Sequence, residues 1–138
     1  MKHIKQKPNQ CWLAAVCMVE SLNYKHWSRY YPTQQNKYKT IAISNWQHQL
    51  ISSLAVWYDT KRFINRQSIL PSDDNCPIDL SGKGIIIVGD MYGNHAIAFE
   101  DGLIYNPNAD KPCTWDEFMK HSKQNNRRWI IKDIQRKP

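Results

Sequence analysis

The stretch from Gly84 to Tyr105 leaves this chain few folds to choose from. Gly84 to Val88, with its branched aliphatic run Ile85-Ile86-Ile87-Val88, reads as a strand. Tyr92-Gly93-Asn94 reads as a turn, and His95 to Glu100 as a second strand. Asp101-Gly102 is a strong hairpin signal, because a tight two-residue turn needs positive φ at both positions. Leu103-Ile104-Tyr105 then returns as a third strand, ended by Asn106-Pro107-Asn108. Strands joined by turns this short must pair antiparallel.

The first part of the chain has another character. From Cys11 it runs Cys11-Trp12-Leu13-Ala14-Ala15-Val16-Cys17-Met18-Val19-Glu20-Ser21-Leu22, rich in good helix formers, with Leu13, Val16, Cys17 and Leu22 spaced for one apolar face. A helix is predicted from Cys11 to near Asn23, preceded by the breaker Pro8. A second is predicted around Trp46 to Tyr58, and the Tyr-, Gln-, Asn- and Lys-rich stretch between them matches neither template. Near the C-terminus Thr114-Trp115-Asp116-Glu117 is a capping box opening a short helix through His121, and Trp129 to Ile134 closes the chain as a strand. A helix first and an antiparallel sheet later is an α+β order. No repeat, low-complexity block or linker divides the 138 residues, so a single domain over 1–138 is expected.

Several classes fall away on composition. The longest apolar runs are far short of a membrane span. Met1-Lys2-His3-Ile4-Lys5 is basic but followed by Gln, Pro and Asn, not by an apolar segment, so a cytoplasmic protein without a secretory signal is expected. Cys11, Cys17, Cys76 and Cys113 contain no CxxC pair, and Cys11 and Cys17 fall on different faces of one predicted helix. Reduced thiols are expected, and neither zinc nor any other cofactor. The formal charge of +7, concentrated at Arg127, Arg128, Lys132, Arg136 and Lys137, suits acidic partners, nucleic acid among them. A solvated basic face accounts for it as well.

The chemistry-bearing residues converge on one type of reaction. A thiol attacks as its thiolate, and the unpaired N–H groups of a helix N-terminus favour that anion. Cys11 sits at such a start, whereas Cys17 lies inside the helix, where a cysteine serves as a small apolar group. Of the five histidines, His3, His26 and His121 fall in polar stretches and His48 has no partner in view. His95 opens a strand with Ala96, Ile97, Ala98 and Phe99 behind it, which would hold its ring rigidly at a cleft. A third group should orient the imidazole. Counting back from the Asp101-Gly102 turn, Asn106 falls within reach of His95, with Asn108 and Asp110 as alternatives. An oxyanion would be held by the Cys11 N–H and by a glutamine amide, Gln6 or Gln10. Gln6 is preferred, because Pro8 can bend the chain back while Gln10 diverges from its neighbour Cys11.

Gln6 to Cys11, Cys11-Trp12 opening a helix, Asn94-His95-Ala96-Ile97-Ala98-Phe99, and then Asp101-Gly102 and Tyr105-Asn106-Pro107 resemble the papain-like cysteine peptidase superfamily. The nearest branch is that of the small double-glycine leader peptidases related to bacteriocin exporters, with their stand-alone relatives in bacteria and phages. The resemblance covers roughly the first 22 residues and residues 82 to 107. It implies a papain-like fold, with the cysteine helix packed on the histidine sheet. It also implies Cys11 as nucleophile, His95 as base, Asn106 as orienting residue and Gln6 as oxyanion donor. Trp12 follows Cys11, as a Trp commonly does in papain-like members. In the exporter branch a Gly stands there, and Asp is more usual than Asn at the position of Asn106.

The expected activity is therefore hydrolysis of a peptide or isopeptide bond through a thioester, with a peptide or protein as substrate and no membrane partner. The rival is a catalytically idle papain-like fold, acting as a basic binding or inhibitor protein against a host protein or nucleic acid.

Overall fold

The computed structural model describes residues 1–29, 59–62 and 78–137. The helix expected at 46–58, His48 and Cys76 lie outside the described residues.

Helix α1 spans Cys11–Glu20, and every residue from Leu13 to Val19 is buried. Seven buried residues in a row occupy all sides of a helix, so α1 is a core helix and not an amphipathic surface one. It stops at Ser21, which takes a left-handed conformation (φ 54°) while the Leu22 N–H donates to the Cys17 carbonyl at 2.9 Å. That is a Schellman-type end, short of the expected end near Asn23. Asn23 instead opens a new helix, α2 (Tyr24–Ser28), its side chain accepting from the His26 N–H at 3.1 Å.

The strands are β1 (Asp59–Arg62), β2 (Lys83–Asp90), β3 (Gly93–Glu100), β4 (Leu103–Tyr105), β5 (Cys113–Thr114) and β6 (Ile130–Arg136). They form one six-stranded sheet in the order β1-β6-β2-β3-β4-β5, every pair antiparallel. The turn expected at Tyr92-Gly93-Asn94 is instead Met91-Tyr92, since Asp90 pairs with Gly93 and the Asp90 carboxylate accepts from the Tyr92 N–H at 2.9 Å. An aspartate folded onto the backbone two residues ahead is a turn former that outranks the glycine beside it. At Asp101-Gly102 both φ angles are positive, 46° and 90°, and Glu100 pairs with Leu103, as a type I′ hairpin requires.

Helix α3 (Trp115–Gln124) carries the full capping box: Thr114 accepts from the Glu117 N–H at 3.2 Å and Glu117 accepts from the Thr114 N–H at 3.2 Å. It runs one turn past the expected end at His121.

The two faces of the sheet differ. Ile85, Ala96, Ala98 and Tyr105 face α1 with Leu13, Val16 and Val19. Ile86, Val88, Ile97, Phe99 and Ile104 face α3 with Trp115, Phe118, Met119 and Trp129. The alternation of a strand thus turns the small residues of β3 toward the buried helix, whose axis can then lie close, and its large ones toward the amphipathic helix. The architecture is α+β. Among the described residues no helix is long and apolar enough to cross a membrane.

Candidate active site

The site is built where β4 runs out. It pairs with β3 at Ala98, Phe99 and Glu100, and among the described residues no strand continues that pairing along residues 95–97. Into that edge comes the N-terminus of α1. Its first intrahelical bond is the Ala14 N–H to the Gln10 carbonyl at 2.9 Å, and among the described residues no side chain caps it or places an acid in its first turn. The backbone N–H groups of Cys11, Trp12 and Ala96 favour the anionic form of the Cys11 thiol. The last of these belongs to β3, one residue past His95.

The His95 ring belongs with Ile97 and Phe99 on the opposite face by the two-residue period of the strand. Thiol and imidazole therefore lie on opposite sides of β3, and the hydrogen bonds of His95 join it to Asn106 and not to Cys11. The imidazole is buried, 7% exposed, and its Nε2 lies 2.7 Å from Asn106 Oδ1. The same Asn106 oxygen accepts from the Asn108 N–H at 3.0 Å. A backbone N–H can only donate, so that amide atom is the oxygen and not the nitrogen. Nε2 must then carry the ring proton, and in the neutral ring Nδ1 is the free base.

Asn106 is itself anchored on every side. Its carbonyl accepts from His3 Nε2 at 2.9 Å and from the Ala109 N–H at 3.0 Å. Next to it, the Pro107 carbonyl accepts from the Gln6 N–H at 2.9 Å. The N-terminal segment thus runs alongside the end of β4 and delivers Gln6 beside the histidine–asparagine pair. It then turns through Lys7-Pro8-Asn9-Gln10, with Asn9 at φ 61° and the Gln10 N–H bonded to the Lys7 carbonyl at 3.2 Å. Proline followed by a left-handed asparagine is the signature of a type II turn.

The two glutamines end up in different surroundings. Gln10 is 1% exposed, and its amide oxygen accepts from Tyr24 Oη at 2.5 Å and Ser28 Oγ at 3.0 Å, holding α2 against α1. The Gln6 amide oxygen is buried without a hydrogen-bond partner among the described residues. Of the alternatives to Asn106, Asp110 is exposed and paired with Lys5 at 2.6 Å, and Asn108 contributes only its backbone N–H. Cys11, Cys17 and Cys113 are free thiols. His26 and His121 are exposed.

The electrostatics correct one expectation. The helix terminus was expected to lower the Cys11 pKa, and the three N–H groups do act that way, but burial outweighs them and pushes the thiol above its ordinary value. His95 is displaced downward, first by burial and against the pull of Asn106, with a smaller push from the Arg127 charge. Both displacements favour the neutral forms, thiol and imidazole. Cys17, with burial alone acting on it, is pushed up to about 12.

Three residues of this site were read from sequence as strand or surface. Trp129 stacks on the His95 ring (centroids 5.9 Å apart, planes at 22°). Arg127, assigned to a solvated basic face, lies over Trp129 at 4.0 Å. His3, which falls in a polar stretch, holds the Asn106 backbone. The Arg127-Trp129 spacing in a basic stretch was the available signal for the first two.

Compared with known proteins, the chain matches no family model, no curated protein and no solved structure.

Proposed function

We propose that this chain is a papain-like, cysteine-dependent hydrolase that cleaves a peptide or isopeptide bond through a thioester. The observation that carries the reading is the Asn106 oxygen. Fixed by the Asn108 N–H and bonded to His95 Nε2 at 2.7 Å, it leaves Nδ1 as the base, on a strand whose next residue, Ala96, favours the Cys11 anion through its N–H.

With the neutral forms of both groups favoured, proton transfer accompanies attack. As the Cys11 sulfur adds to the substrate carbonyl, its proton passes to His95 Nδ1 and the carbonyl π electrons move onto oxygen. The oxyanion is held by the Cys11 N–H at the helix start and by the Gln6 amide N–H. Collapse breaks the C–N bond, and the imidazolium returns its proton to the departing amine. Water, deprotonated by the same Nδ1, then resolves the thioester to a carboxylic acid and restores the thiol.

The test is acylation of the purified protein with p-nitrophenyl acetate, followed by intact-mass and peptide-mapping mass spectrometry. Acetyl transfer to Cys11 that falls sharply in His95→Ala supports the reading, and a library of peptides, double-glycine sequences included, then identifies the substrate. A Cys11 that is not acetylated, or is acetylated equally in His95→Ala, overturns it in favour of an idle fold with a binding role.

A further inference from the structure

Behind the imidazole, on the side away from Cys11, is a layered arrangement that acyl transfer does not itself require. Asp90, at the end of β2, has a side chain 5% exposed. It takes a two-pronged bond from Arg127, Nε to Oδ2 at 2.6 Å and Nη2 to Oδ1 at 2.9 Å. The guanidinium so fixed lies 4.0 Å from the centre of the Trp129 ring. Trp129 in turn stacks on His95 and is locked in its own plane by its Nε1–H bond to Ser122 Oγ at 2.8 Å, while that hydroxyl donates to the Phe118 carbonyl at 2.8 Å. Trp129 and Arg127, together with His95 and Asn106, line a depression of about 310 Å³.

We propose that the Arg127–Asp90 pair is a positioning element for His95, a clamp that presses Trp129 flat against the imidazole and sets the charge felt by its base. The proposal rests on His95 being that base. An Arg is suited to this in a way a Lys is not: its planar fork can grip both carboxylate oxygens and lie face-on to an aromatic ring at once. Asp90 answers two needs. It orients the fork, and it offsets most of the guanidinium charge, so that the ring is neither repelled from its site nor freely protonated.

Among the described residues the charged and titratable groups around His95 are few. Arg127 approaches from the segment before β6, His121 of α3 lines the same depression, Cys11 comes from α1, and His3 acts on Asn106 from the N-terminal segment. Asp90, from β2, is committed to Arg127. Removing either half of the clamp should therefore move the titration of His95, and in opposite directions. Arg127→Met takes away a cation and leaves an unpaired carboxylate, which favours the imidazolium. Asp90→Asn takes away the anion and leaves the guanidinium unneutralised, which disfavours it. With charges about 10 Å from the ring across partly solvated protein, each shift is roughly half a pH unit.

The experiment is a pH titration of the His95 ring nitrogens by long-range 1H–15N NMR in the full-length protein, in wild type, Arg127→Met and Asp90→Asn. An upward shift in the first variant and a downward shift in the second is expected. Loss of a merely structural contact would loosen the site in both and move both the same way. Shifts of one sign, or none, overturn the proposal. Should Arg127→Met fail to fold, Asp90→Asn decides alone: a downward shift supports the clamp, an unchanged or upward one sinks it. The readout does not depend on acylation of Cys11, so failure here and failure of the hydrolase reading remain distinguishable.

Discussion

Two ten-residue helices begin in opposite ways. At α3 the terminal donors meet a full set of partners: Thr114 and Glu117 bond each other reciprocally, and Asp116 and Glu117 put negative charge in the first turn. At α1 there is no side-chain cap among the described residues and no first-turn acid, and the N–H groups of Cys11 and Trp12 favour the anion of the thiol. Leaving a helix start uncapped forgoes about 1 kcal/mol. Gln10, the residue in the capping position of α1, spends its amide on Tyr24 and Ser28 instead. One terminus is finished for stability and the other is kept open for an anion.

Exchanging the roles of the two termini by mutation breaks the comparison most severely at Cys11. Cys11→Ala should abolish acyl transfer outright while leaving the melting temperature close to wild type, because it removes a single sulfur at the margin of the α1 core. Acetyl transfer assays paired with thermal denaturation check this, and substantial residual acylation of the variant would remove the thiol from the reaction. A smaller effect is expected at Asn106→Ala. Without its oxygen neither the ring tautomer nor the Asn108 N–H is held, so acylation should fall by about a hundredfold. The unpaired buried groups should cost about 1–3 kcal/mol in urea denaturation. An unchanged acylation rate would show that the ring needs no orientation.

The contrast between the termini was half legible in the sequence. The α3 start was readable because Thr114 and Glu117 are spaced to satisfy each other, a strictly local relation. The α1 start was readable from Pro8 and the helix formers after Cys11, and so were β2 to β4, from Ile85–Val88 and the Asp101-Gly102 turn. What was missed depends on distant partners. Helix α2 has five residues, and its capping bond from Asn23 is joined by tertiary bonds from Tyr24 and Ser28 to Gln10. Strand β1, Asp59–Arg62, has no apolar alternation and exists as an edge through its pairing with β6. The bulge between Ile87 and Val88 follows from packing β6 beside β2. The thiol's direction of titration was misjudged because a helix-terminus argument counts N–H groups and not the atoms that exclude water. Arg127 was misjudged because a basic run in a sequence does not reveal that Asp90 lies beside one member of it.

The finished terminus carries a smaller but cleaner prediction. Thr114→Ala should lower stability by about 1 kcal/mol in urea denaturation and leave Cys11 acylation unchanged, since α3 meets the site through Phe118, His121 and Ser122, none of them part of the capping box. A fall in acylation larger than the loss of folded protein would mean that α3 positions the site through its own N-terminus.

The smallest effect separates the termini by pH. At α3, the Thr114 N–H and hydroxyl hold the Glu117 carboxyl below its ordinary 4.5. A carboxyl bound more weakly by protons in the fold than in the unfolded chain contributes stability above 4.5, and loses it as pH falls through the folded value. At α1 the sign reverses. Burial raises Cys11 above 9.0, so its contribution is present below 9.0 and lost as pH rises through the folded value. The uncapped terminus should therefore weaken in alkali and the capped one in acid. Wild-type curves also contain Asp90, held near 2 by Arg127, on the acid side, and Cys113, pushed up to about 11, on the alkaline side. The comparison is consequently made on differences: urea midpoints across pH for Glu117→Gln minus wild type and for Cys11→Ala minus wild type. The first difference should change only in acid and the second only above pH 9. A Cys11→Ala difference that instead changes below pH 9 would mean the open helix start outweighs burial after all, and that the thiol rests as an anion.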